Sequence, residues 1–184
     1  MTQHWPDWIK QDLRRMISVD VETSGPNPAN YDLLSIGACT LLKPRKTFYV
    51  ELQPVVMQST QEAQRVHGLD LEQLSINGEE PQRAMQMFTI WLQKAVPAET
   101  QPLFMGFNAP FDWMFISDYF HRFLGRNPFG HSALDIKSFY MGYGRVPWSG
   151  TSMRKLSVIE LKHNALEDAR DQADLFEKMV KHIV

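Results

Sequence analysis

At 184 residues, with 43% hydrophobic side chains, the chain is long enough to bury a sizeable core and carries no mark of disorder. Its 19 Lys and Arg nearly balance 21 Asp and Glu, which excludes a broad basic surface and a polybasic membrane anchor. A nucleic acid bound by such a chain is held at a local site, not by a wide field. The lone Cys39 excludes an intramolecular disulfide and suits a reducing compartment; in the apolar run Ile36-Gly37-Ala38-Cys39 it reads as a small core residue. No apolar stretch reaches the length of a membrane span, and Trp5-Pro6-Asp7-Trp8 is unlike a signal peptide. The expectation is a cytoplasmic protein with one domain over residues 1–184, of which 1–15 form an N-terminal helical extension.

In chain order, residues 7–15 read as a short helix with Trp5, Trp8, Ile9 and Leu13 on its apolar side. Residues 16–22 alternate and are rich in β-branched side chains, the pattern of a strand, which Thr23-Ser24-Gly25-Pro26-Asn27-Pro28 breaks. Residues 33–42 and 46–52 give two more strands and an antiparallel meander. Beyond residue 58 the period changes, predicting helices over 60–67, 69–74 and 79–96. Met85, Phe88, Trp91, Leu92 and Val96 form the buried stripe of the last. A strand over 102–107, a helix over 109–124, a strand over 132–136 and a closing helix over 164–183 follow. Three antiparallel strands and then alternating helix and strand make an α/β fold, a mixed five-stranded sheet with helices on its faces.

Three groups of polar residues stand out from this frame. Asp20 and Glu22, two apart on the first strand, leave the same face. Two half-buried carboxylates repel unless a cation lies between them, and a hard divalent ion such as Mg²⁺ or Mn²⁺ prefers oxygen ligands. Asn108-Ala109-Pro110-Phe111-Asp112 is the second group: Asn108 is placed to cap the helix, Pro110 suits its first turn, and Asp112 lies about one turn in. Helix-dipole complementarity alone accounts for Asp112, but not for the surrounding Phe107, Phe111, Trp113 and Phe115. The third group is His163-Asn164-Ala165-Leu166-Glu167-Asp168. Asn164 and Glu167 form a capping-box-like pair, which leaves His163 on the entry loop and Asp168 one turn inside the helix.

Together, Asp20-x-Glu22, Asn108-x-x-Phe111-Asp112 and His163-x₄-Asp168 resemble the three motifs of the DEDDh group of 3′-to-5′ exonucleases, whose fold is ribonuclease-H-like. The resemblance runs from Ser18 to about Phe176 and includes Val66-His67-Gly68-Leu69 and Asp135. It implies that Asp20, Glu22, Asp112 and Asp168 hold two divalent metal ions, Mg²⁺ or Mn²⁺, and that His163 is the general base. It also implies that Thr23, His67, Leu69, Asn108 and Phe111 meet the terminal nucleotide of a single-stranded DNA or RNA 3′ end, releasing nucleoside 5′-monophosphates. Several members of the group are homodimers, so a second copy is a candidate partner; no membrane is implied. A catalytically silent ribonuclease-H-like binding module is the alternative, but such a relative usually lacks a ligand or the histidine, and none is missing here. Two segments depart from the usual pattern: only residues 157–162 separate Leu156 from His163, and residues 26–31 are placed to edge the nucleotide pocket. Trp148, on a loop with Arg145, Arg154 and Lys155, offers an aromatic and basic surface with three readings, a guide for the strand, an oligomer contact or simple packing, of which the last two rank first.

Overall fold

β1, Met16–Thr23, is the centre of the fold because both of its faces have a use. Alternation sends Val19 and Val21 into one apolar layer and Met16, Asp20 and Glu22 to the other side. The structure, a computed structural model, describes residues 5–152 and 163–181. β1 pairs antiparallel with β2, Leu33–Thr40, and β2 with β3, Thr47–Glu51. On its other edge β1 pairs in parallel with β4, Leu103–Gly106, and β4 with β5, Ala133–Asp135. The order β3-β2-β1-β4-β5 is the mixed five-stranded sheet that the sequence implies.

Seven helices are described. α1, Asp7–Lys10, is shorter than predicted, and Trp8 faces solvent while Trp5, Ile9 and Leu13 are buried. α2, Gln61–His67, is capped by Thr60; α3, Leu71–Asn77, by Asp70; and α4, Pro81–Ala95, by Glu80. α5, Pro110–Leu124, packs with α4 on the Val19 face, where Phe88 stacks on Phe48 at 4.9 Å and on Phe120 at 5.8 Å. Aromatic pairing adds to area burial there, so this layer is the stiffer backing of the sheet.

On the opposite face lie α6, Ile136–Gly144, and α7, Ala165–Lys181, whose Phe176, Met179 and Val180 close a second core with Trp5, Leu41 and Met105. α7 comes so near β2 that a Cβ on Gly37 would lie 2.0 Å from the Ala165 carbonyl carbon and 2.1 Å from the Leu166 nitrogen. Glycine is what allows the start of α7 to rest on the sheet. The sequence pattern did not predict α6, because Gly142 and Gly144 interrupt its period. The Asp135 carboxylate accepts from the Ser138 amide at 3.0 Å and starts this helix all the same. The stretch expected to be a loop around Trp148 contains a 3₁₀ turn, Trp148–Gly150.

Candidate active site

The carboxylates gather at the point where β1 outruns its parallel partner. Pairing with β4 ends at Ser18↔Met105, so the Val21 amide beyond it has no strand to bond. Asp112, from the first turn of α5, supplies the missing acceptor: its Oδ1 takes the Val21 amide at 3.1 Å. This bond fixes a buried carboxylate beside Asp20 and Glu22. From the other side α7 brings Asp168, also buried, so that single oxygens of Asp20, Glu22 and Asp168 lie within 4.8 Å of one another. The Asn164 side chain accepts from the Glu167 amide at 3.2 Å and caps α7. Glu167 also pairs with Arg170 at 2.6 Å. His163 precedes the cap, exposed, with φ of 52°, outside the helix as the spacing predicted.

Crowding in a desolvated corner raises the proton affinity of Asp20, Glu22 and Asp112. Burial and then the charges of Asp112, Glu22 and Asp168 push Asp20 well above the usual carboxylate range, against a hydrogen bond from Gln172. Glu22 rises to about 7 through burial and then Asp168. Asp112 rises to about 8 through burial, despite the Val21 amide that favours its charged form. In the metal-free chain the cluster therefore favours protons, and any counter-ion that replaces them must be strongly cationic and accept oxygen donors. Gln172, which the sequence reading did not single out, donates through Nε2 to Asp20 while its Oε1 accepts the Phe107 amide at 3.0 Å. It lies one turn after Asp168 on the same face of α7, and that i,i+4 relation was the available signal.

Beside the carboxylates opens a cavity of about 380 Å³, lined by Glu22, Thr23, Pro26, Val66, His67 and Phe111, among others. Its lining is mostly apolar, with few polar groups, as small-molecule sites generally are. His67 is buried, and its Nδ1 accepts the Leu69 amide at 2.8 Å. Burial lowers its proton affinity, so the neutral ring carries its hydrogen on Nε2, an atom without a protein partner among the described residues. Leu69 lines a neighbouring cavity with Met57 and Gln64 instead, while Asn108 lines neither.

Asn108 does not cap α5. It adopts φ of 64°, Ala109 occupies the cap position without a side-chain bond, and the Asp135 carboxylate takes the Ala109 amide at 3.0 Å. An asparagine tolerates the left-handed region better than most residues, which explains its presence at this turn as well as capping did. The fully buried Asp32 was also missed: its two oxygens accept the amides of Val55, Val56 and Met57 at 2.8–3.1 Å. They fix the loop leading to Thr60, whose amide bonds the Ser24 carbonyl at the cavity wall. The short segment 157–162 and the residues Arg154 and Lys155 lie outside the described residues.

Comparison with known proteins places this geometry. A sequence model described as exonuclease, of the ribonuclease T type, matches residues 17–176. The 3′-5′ DNA exonuclease Cap18 of Escherichia coli is 44% identical over 173 residues, 91% of this chain and 92% of that one. Among solved structures, the nuclease domain of 3′hExo, a DEDDh family member bound to rAMP, superposes with a TM-score of 0.75 at 14% identity, covering 91% and 92% of the two chains. Exonuclease I of E. coli in complex with a dT13 oligonucleotide gives 0.69 at 15% identity, over 89% of this chain and 40% of that one. The chain belongs to the exonuclease family, as does its 3′-to-5′ exonuclease relative, and it shares the fold of a DEDDh family member.

Proposed function

We propose that this protein removes nucleotides one at a time from the 3′ end of single-stranded nucleic acid as nucleoside 5′-monophosphates. In this reading Asp20, Glu22, Asp112 and Asp168 hold two divalent ions, Mg²⁺ or Mn²⁺, and His163 is the general base. The observation that carries it is the packing of buried and half-buried carboxylate oxygens from β1 and α7 within 4.8 Å of one another, with Asp112 against the same strand. The donor set is all hard oxygen, and its raised proton affinities mark a site short of positive charge, so the residues fit such ions. When bound, the ions polarise the phosphate and lower the pKa of water.

The chain's own groups then divide the remaining work. Gln172 orients Asp20, and the Val21 amide orients Asp112, so both carboxylates keep one geometry through turnover. His163, outside the rigid helix, accepts the proton of the attacking water as the P–O3′ bond breaks. Phe111 and Val66 give the terminal nucleotide an apolar seat that suits any base, while Thr23 and the Nε2 of His67 offer polar contacts. Single-stranded DNA is the first substrate to test, because the 44% identical relative is a DNA exonuclease. With Mg²⁺ or Mn²⁺, a 5′-labelled oligonucleotide should shorten as a ladder while a 3′-labelled one releases its label as mononucleotide in the first turnover. Label retained in internal fragments would instead make the enzyme an endonuclease.

A further inference from the structure

We propose that Trp148, backed by Lys137, is a stacking platform for a nucleobase of the single strand upstream of the two nucleotides that the scissile bond joins. This rests on the exonuclease reading above and adds a second grip on the strand, outside both the carboxylates and the terminal-nucleotide cavity.

Trp148 is 51% exposed, whereas most aromatic rings of this protein are buried or half-buried. That exposure does not come from a slack backbone. The Trp148 carbonyl accepts both the amide of Thr151, at 3.1 Å, and its hydroxyl, at 2.7 Å, and Thr151 is fully buried. The Gly150 amide closes on the Pro147 carbonyl at 2.8 Å. A pinned turn thus presents the indole at little entropic cost to a ligand. The Lys137 ammonium sits 4.0 Å from the ring centroid, which holds the indole in one orientation and places a cation beside it.

Position ties the pair to the reaction. Lys137 is the second residue of α6, two positions after Asp135. The Asp135 carboxylate that starts α6 also takes the Ala109 amide at the head of α5, the helix that carries Asp112. Platform and carboxylates therefore stand on the same edge, at the carboxyl ends of β4 and β5. A net charge of −2 leaves no broad electrostatic attraction for a polyanion, so strand affinity must come from local contacts. An indole with an adjacent ammonium meets a base and its phosphate together; exposed Arg145 adds a second cation to this segment. That cationic surround suits a nucleic acid strand better than an apolar protein face.

The test compares the wild type with Trp148→Leu and Trp148→Phe in Mg²⁺, on a dinucleotide and on oligodeoxythymidylate of about 12 nucleotides. Trp148→Leu should raise KM for the longer strand about tenfold, the loss of one base stack. It should leave kcat, and both constants for the dinucleotide, unchanged, and Trp148→Phe should restore most of the affinity. Unchanged KM on the long strand, or an equal loss on both substrates, overturns the platform. A wild type that shortens neither substrate overturns the exonuclease reading itself.

Discussion

Asp20→Asn should stop nucleotide release, with a loss on the order of 10³-fold or more, while the folded chain melts at or above the wild-type temperature. Asp20 is pushed toward its protonated form by burial and by Asp112, Glu22 and Asp168 in turn, so a neutral amide removes repulsion that the fold otherwise absorbs. The Asn oxygen can still accept from Gln172, which keeps the local hydrogen bonding. His163→Ala provides the contrast: it should lose most of the rate yet bind Mn²⁺ as tightly as the wild type, because the exposed imidazole lies outside the carboxylate set. Calorimetric Mn²⁺ titrations alongside single-turnover release separate the two. Full activity in Asp20→Asn would remove the carboxylate mechanism, and normal activity in His163→Ala would move the proton acceptor elsewhere.

Gly37→Ala should be the most damaging change that touches no polar group. The added methyl would meet the Ala165 and Leu166 backbone at 2.0–2.2 Å, and backbone cannot rotate aside as a side-chain tip does. α7 must lift from the sheet, and it carries both Asp168 and Gln172. We expect a loss of roughly 3 kcal/mol or more in stability, with turnover falling further than the unfolded fraction explains. Gly142→Ala, in α6 with nothing within 4 Å of the new Cβ, is the control and should be neutral or slightly stabilising. A Gly37→Ala protein with wild-type melting and activity would mean that α7 does not rest on β2 as described.

The parts of this architecture that obey a period were legible. Alternation along β1 placed Asp20 and Glu22 on one face and two valines on the other, and the apolar stripe of α4 marked its buried side. Local capping was less legible, because one residue type serves several turns: Asn164 caps its helix, whereas Asn108 turns the chain with positive φ and leaves Ala109 to Asp135. Contacts between residues far apart in the chain were legible only where the family resemblance supplied them, as for the four carboxylates. Asp32 reads as an ordinary turn residue until the amides of Val55, Val56 and Met57 are seen to converge on it. Gln172 reads as a polar helix position until α7 is laid across β1. α6 was missed because its glycines break the helical signal, and with it the setting of Trp148.

Thermal melting across pH tests most directly whether the carboxylate cluster holds divalent cations. Glu22 and Asp112 have folded-state affinities of about 7 and 8, above those of unfolded carboxyls. A raised carboxyl stabilises the fold below its unfolded pKa, and that stability is lost as pH rises through the folded value. In chelator, the melting temperature should therefore fall by about 5 °C or more between pH 5 and 8. Mg²⁺ or Mn²⁺ binds the ionised cluster only in the folded chain, so either ion should restore the loss at pH 8 and do little at pH 5. Identical profiles with and without metal, or a melting temperature that climbs with pH in chelator, would contradict the account.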